Sequence, residues 1–290
     1  DNIAEPGLMR EYQQARYNHI RLTFVLNRTG QWTVADSLNN WLRDFYRKEN
    51  DTVRFQKSVF ISGWISLMQN NPDKAIEQFI EAKKIAGITR QKHEIYRSDY
   101  YISRGFLDKE DYERALFYAK DLLPDIEDED VELITNRYHY IAFIYKKANH
   151  VDSAMVYYKK ALELAIDNGM TRLVSHLFNE ISEMQLSNKD YKEALYYADL
   201  SIKHRGSRKD VSFFNLTKAR VFLATNQTDS AKFYLKRAIE SSDDDFVSII
   251  AYRYLADLYR DIGDYKQAFY RQLDYKGLFE RRSSEVATEQ

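Results

Sequence analysis

Small and large apolar positions recur along this chain with a long period. Alanines stand at Ala35, Ala75, Ala115, Ala154, Ala194, Ala231 and Ala268, separated by 40, 40, 39, 40, 37 and 37 residues. Twelve positions earlier the residue is small in nearly every unit: Gly63, Ser103, Ala142, Ser182, Ala219 and Ala256, with Thr23 in the first. Three or four positions later a large side chain returns, as Leu38, Phe79, Tyr118, Tyr158, Tyr197 and Leu235. These offsets fill one stripe of a helix. In the fourth unit Ile134, Tyr138, Ile141, Ala142 and Tyr145 follow a 3.6-residue period, which restarts after Asn149–His150 with Ala154, Tyr158, Ala161 and Ala165. The pattern therefore predicts a hairpin of two helices per repeat, with the small residues allowing the pair to approach closely.

Local signals place the breaks. Asn71 before Pro72 predicts a helix start, and Asp190 with Glu193 and Asp264 with Gln267 read as capping boxes. Gly87, Gly169 and Gly206 are expected to close second helices in the left-handed conformation. Repeats of this length bury their apolar faces only against neighbours, so the expected architecture is one continuous array. Residues 1–8 read as a lead-in, 9–280 as the array and 281–290 as a polar tail.

Composition narrows the class. Only 9 Gly and 3 Pro among 290 residues disfavour a turn-rich β fold, and 44% hydrophobic residues suffice for a core. With 43 basic and 44 acidic residues, no global field draws in nucleic acid or an anionic membrane. The absence of Cys excludes disulfides and thiolate metal sites. No run of 18 apolar residues marks a membrane span, and nothing at the start resembles a signal peptide.

The chain carries no glycine-rich phosphate loop, no His-Glu-x-x-His helix and no Gly-x-Ser-x-Gly elbow, and its six His are scattered singly. The sequence is therefore read as a non-enzyme without cofactor or metal. The acidic stretch from Asp125 to Asp130 reads as a solvated linker and helix start, and Arg205, Arg208 and Lys209 as a short basic loop.

The units resemble tetratricopeptide repeats. Gly63, Ala75, Phe79 and Ala82 carry the likeness in one unit, and Ala142, Tyr145, Ala154, Tyr158 and Ala161 in another. The resemblance implies an all-α, right-handed superhelix of about seven helix hairpins, acting as a protein- or peptide-binding module. The period exceeds the family's 34 residues, and the family's opening tryptophan and terminal proline are missing. The segment Asp152 to Tyr158 also resembles the repeat regions of bacterial envelope-associated transcriptional regulators, which implies a sensory region of a larger regulator and favours an envelope or periplasmic setting over the cytoplasm.

In this family the first helix of each hairpin lines the concave face. Positions 18, 15, 11, 8 and 7 before each alanine then give Lys57, Phe60 and Trp64; Arg97, Tyr100 and Arg104; Asn136, His139, Phe143 and Lys146; and His176 with Asn179. That basic and aromatic set suits an extended peptide with acidic and apolar side chains. Trp64 is expected as a large exposed ring on this face, and Lys146→Ala is expected to leave folding nearly unchanged. Arg253, Asp257, Arg260 and Asp261 in the last unit are expected to pair among themselves. The final helix carries Phe269, Tyr270, Leu273, Tyr275, Leu278 and Phe279 around much of its circumference, which predicts self-association or a following domain at that end. The rival reading is a structural scaffold or cytosolic adaptor with no groove ligand.

Overall fold

The computed structural model describes residues 6–26, 31–123, 130–205, 211–242 and 245–289. Fourteen helices account for the regular structure of these residues, and no strand occurs among them. The chain divides into two compact units, Asp1–Asp125 and Ile126–Thr288, with the last two residues grouped with the first. The first contains α1 (Pro6–Leu26), α2 (Trp32–Lys48), α3 (Thr52–Met68), α4 (Pro72–Ile88), α5 (Lys92–Asp108) and α6 (Tyr112–Lys120). The second contains α7 (Val131–Lys147), α8 (Val151–Asp167), α9 (Thr171–Ser187), α10 (Tyr191–Lys203), α11 (Ser212–Ala224), α12 (Thr228–Glu240), α13 (Asp245–Asp261) and α14, which begins at Tyr265. Consecutive helices pack as neighbours from α1 to α6 in the first unit and from α7 to α13 in the second, the arrangement of an α solenoid. The acidic stretch from Asp125 to Glu129 and the loop at Gly206, Arg208 and Lys209 lie outside the described residues.

The long period has a simple origin. Helices α2 to α5 and α7 to α9 are each 17 residues long and are joined by three-residue turns, so successive breaks fall 20 residues apart. The middle residue of each turn is left-handed, at Asn50, Asn70, Arg90, Glu110, Asn149, Gly169 and Lys189. Around Asn149 the N–H bonds Lys146 O at 3.1 Å and the N–H of His150 bonds Tyr145 O at 2.9 Å, the paired bonds that satisfy the last carbonyls of a helix. Gly169 thus occupies its expected place. Gly87 does not: it lies inside α4, and Arg90 supplies the left-handed residue two positions beyond that helix. The sequence signal failed there because the bonds of the turn hold a non-glycine residue in this conformation at six of the seven turns.

The caps follow the same economy. Asn71, Asp190 and Asp264 accept from the N–H groups of Lys74, Glu193 and Gln267 at 3.3, 3.2 and 3.1 Å. The reciprocal arm of a capping box has no donor to serve, because the N–H groups of Asp190 and Asp264 already bond Gln185 O and Tyr259 O.

The alanine seams are real. Ala35, Ala75, Ala115, Ala154, Ala194 and Ala231 are wholly buried. Ser103 and Ser182 tighten their seams further, each donating its hydroxyl to the carbonyl of the alanine twelve residues on, at 2.7 Å. The ends of the array differ. Thr23 is exposed and donates to His19 O on its own helix, and Ala268 is only half-buried. An end helix has neighbours on one side only, so its repeat positions need not meet a seam.

Candidate functional site

Each predicted groove residue has a definite environment, and the two units are best taken in turn. In the first, Lys57 and Arg104 are exposed and have no hydrogen-bond or ion-pair partner among the described residues. Phe60 is turned inward at 2% exposure and packs on Phe79 and Tyr101, so it supports the face from beneath. The Arg97 guanidinium covers it, 4.0 Å from the ring centre, and also approaches Glu94 at 3.6 Å. Trp64 is half-buried and meets Trp32 edge to face at 5.4 Å. The open ring expected on the concave surface is therefore absent, because Trp32 of the preceding hairpin takes up its face. Tyr100 is half-buried against Tyr101.

The second unit carries the more developed site. Asn136 is exposed on α7, one turn before His139. The rings of His139 and His176 meet at 5.3 Å, and Phe143 lies under the ammonium groups of Lys146 and Lys147. The centre is Glu180, which no repeat offset had singled out. It accepts from Lys146 Nζ at 2.6 Å and from the buried Tyr158 hydroxyl at 3.2 Å, and His176 Nδ1 lies 4.0 Å away. Burial alone would raise the Glu180 carboxyl, but the Lys146 ammonium and the two imidazoles outweigh it and hold it below its usual range. Burial pushes the Tyr158 phenol up, so it stays protonated and donates. Burial and the neighbouring His176 press His139 down to about 4.

One turn further, Glu183 accepts from Arg220 at 2.5 Å and from Thr217 at 2.8 Å. In this unit the patch read from sequence as basic loses its free charge at Lys146: two carboxylates on α9 each take a cation from a neighbouring first helix, Glu180 from Lys146 and Glu183 from Arg220. Between them opens a cavity of about 340 Å³ lined by Lys146, Asn179, Glu180, Arg220, Arg253 and Tyr254, with Phe213, Leu216 and Ile250 as its apolar wall. Asn179 Oδ1 is buried there with no hydrogen-bond partner. Arg253 is exposed into the same space with no ion-pair partner among the described residues, while Arg260 pairs with Asp257 at 2.6 Å as expected. Phe213, Leu216, Arg220, Ile250 and Arg253 sit at the same repeat offsets as the predicted residues; the rule reached Arg253 but read it as part of a self-pairing set, and applying it to the sixth unit and to Ile250 would have found the others.

The Lys146–Glu180 pair corrects the expectation for Lys146→Ala. Both side chains are largely enclosed, at 22% and 17% exposure, so removing the ammonium strands a half-buried carboxylate. A loss of about 2 kcal/mol is expected, read as a lower urea midpoint by circular dichroism. An unchanged midpoint would show the pair to be solvated.

Among the described residues no group of His, Asp and Glu is arranged to hold a metal ion, and no helix is long and apolar enough to cross a membrane.

Comparisons with known proteins agree with this geometry. Two stretches, residues 136–168 and 214–245, match the tetratricopeptide repeat model. No curated protein matches the sequence. Among solved structures, the fold is shared with a signal-transduction ATPase with numerous domains from Pyrococcus horikoshii that carries a tetratricopeptide repeat sensor, at TM-score 0.70 and 18% identity. The match covers 95% of this chain and 43% of that one. Aspartyl phosphate phosphatase F from Bacillus subtilis matches at TM-score 0.62 and 13% identity, over 91% of this chain and 70% of that. The Rap conjugation gene regulator of plasmid pLS20, solved with the Phr* peptide, matches at 0.56 and 14%, over 81% and 78%. At these identities the likeness is one of fold: an all-α solenoid of tetratricopeptide-like hairpins.

Proposed function

We propose that the chain is a protein- or peptide-binding module whose second unit takes an extended segment along the faces of α7, α9, α11 and α13, and that it serves as the sensory region of a regulator. The observation that carries this is Asn179. An unpaired buried oxygen costs free energy, and the residue that carries it lines a cavity bounded by two ion pairs that fix its walls. A main-chain N–H of an extended partner supplies the missing donor. The ion pairs hold the lining side chains in place beforehand, which lowers the ordering cost of binding. Acidic side chains of the partner meet the unpartnered cation Arg253, and apolar ones meet Phe213 and Ile250. The regulatory role draws support from the fold shared with a tetratricopeptide sensor and with a regulator solved with its peptide.

Random twelve-residue peptides displayed on phage and panned against the chain test this. Asn179→Ala removes an unpaired oxygen and leaves folding intact, yet selected peptides should lose about tenfold in affinity, the worth of one buried hydrogen bond. Selected peptides that bind the variant and the parent equally would sink the groove reading and favour a scaffold that uses other surfaces.

A further inference from the structure

A cleft of the first unit is lined by none of the repeat-derived groove residues. It measures about 870 Å³ between α1, the last turn of α2 and the start of α3. A second hollow of about 200 Å³ shares His19, Tyr46 and Arg54 with it and deepens it toward Asn39. The floor is aromatic: Phe45 and Tyr46 are both buried, and Tyr12 closes one side, edge to face with Phe45 at 5.3 Å. The combined size suits an organic molecule with one or a few rings.

Its charges are unevenly engaged. Glu49 accepts from the Tyr12 hydroxyl at 2.7 Å. Asp51 caps α3 by accepting from the Arg54 N–H at 3.0 Å and from its guanidinium at 2.8 Å. Asp51 is therefore paired with a cation, while Glu49 is hydrogen-bonded and keeps its charge. The side chains of Arg16, His19 and Lys57 on the rim have no hydrogen-bond or ion-pair partner among the described residues. At the bottom, wholly buried Asn39 donates through Nδ2 to Ser58 O at 2.9 Å and to Ser62 Oγ at 2.8 Å, leaving its Oδ1 unpaired.

We propose that this cleft binds a small aromatic anion. The ring lies on Phe45 and Tyr46, the acid group sits at the rim beside Arg16, Lys57 and the His19 imidazole, and a donor on the ring system reaches toward Asn39. Three features select this class over a neutral or cationic one. The side chains left without a partner on the rim, Arg16 and Lys57 among them, are basic, the floor offers ring faces and edges, and the deepest polar atom is an acceptor.

The probe is 8-anilinonaphthalene-1-sulfonate, a fused-ring anion with one N–H donor, titrated into the full chain by fluorescence and calorimetry. One site is expected, with the uncharged N-phenyl-1-naphthylamine binding about tenfold more weakly. The double variant Arg16→Ala, His19→Ala alters exposed side chains only, so helicity should be unchanged while sulfonate affinity drops about tenfold and the neutral probe is unaffected. Equal binding of the two probes, or a sulfonate affinity that survives the double variant, overturns the proposal. So does loss of the signal on Phe269→Glu, which would put the probe on the exposed apolar side chains of α14. None of these residues belongs to the second-unit cavity, so this test and the peptide test fail independently.

Discussion

Gly63→Val should destabilise the first unit by about 3 kcal/mol, the upper range for overpacking a close seam. Gly63 is the small position of the second hairpin, on α3, and a Cβ built there would stand 2.6 Å from Phe79 Cε1 and 2.8 Å from Cδ1. Phe79 has nowhere to retreat. It is wholly buried on α4 and held between Phe60 at 5.1 Å and Tyr101 at 5.2 Å. Rings packed at interior density transmit strain rather than absorb it, so the added branch must part α3 from α4 or drive Phe79 into Tyr101. The chain's three tryptophans, Trp32, Trp41 and Trp64, all lie in the first unit, so their emission during a urea titration reads this unit alone. The emission midpoint should fall with the slope unchanged. Gly87→Val supplies the contrast: a Cβ there meets nothing within 4 Å, and the cost should be limited to helix propensity, a few tenths of a kcal/mol either way. Equal midpoints for the two variants would mean the α3–α4 seam is looser than these distances.

That contrast also marks what the sequence could tell. Gly63 and Gly87 are both glycines in a repeat. Only the first stands at the small position twelve residues before an alanine, and that register identified its role. The hairpin architecture was legible because close helix approach allows few residue types at a seam, and those types recur every 40 residues. Turn residues were less legible. Asn70, Arg90, Glu110 and Lys189 adopt the left-handed conformation under the pull of the terminal helix bonds, and nothing in residue type alone marks an arginine or glutamate for that role. The candidate site was legible in outline and misjudged in charge. Lys146 and Asn179 fell on predicted offsets and do line the cavity, but Glu180 sits one place off the stripe that holds Asn179. A single-helix offset rule sees only one helix at a time. The partner of Lys146 comes from the next hairpin, 34 residues on, and pairing between first helices is a property of the stack.

The same cluster sets the second large expectation, a fall in stability of the second unit on acidification that begins well above the carboxylate range. His139 on α7 is hemmed in by the His176 imidazole and Glu180 of α9, by Lys146 of its own helix and by the ring of Tyr158 on α8, 6.1 Å away. Burial and the adjacent His176 hold it neutral down to about 4, against 6.5 for an unconstrained imidazole. Between those values the unfolded chain binds a proton that the folded one refuses, so acid favours unfolding there. Stability from this group is complete above pH 6.5 and drains away as the pH falls to about 4, a total of about 3 kcal/mol if the full shift is realised. Glu180 works in the same direction but lower down. Its folded-state value is depressed, so its contribution fades as the pH falls from the ordinary carboxylate range through that lower value. The window between pH 6.5 and 5 therefore isolates the imidazole. Hydrogen exchange of the α7 and α8 amides, converted to opening free energies across that window, should show a steep decline in the parent chain and a much shallower one in His139→Gln, which keeps a polar side chain without a titrating ring. The other histidines of the unit are common to both proteins and cancel in the difference. Parallel curves for the two would mean that water reaches His139 and that the enclosure drawn by His176, Glu180 and Tyr158 is open in solution.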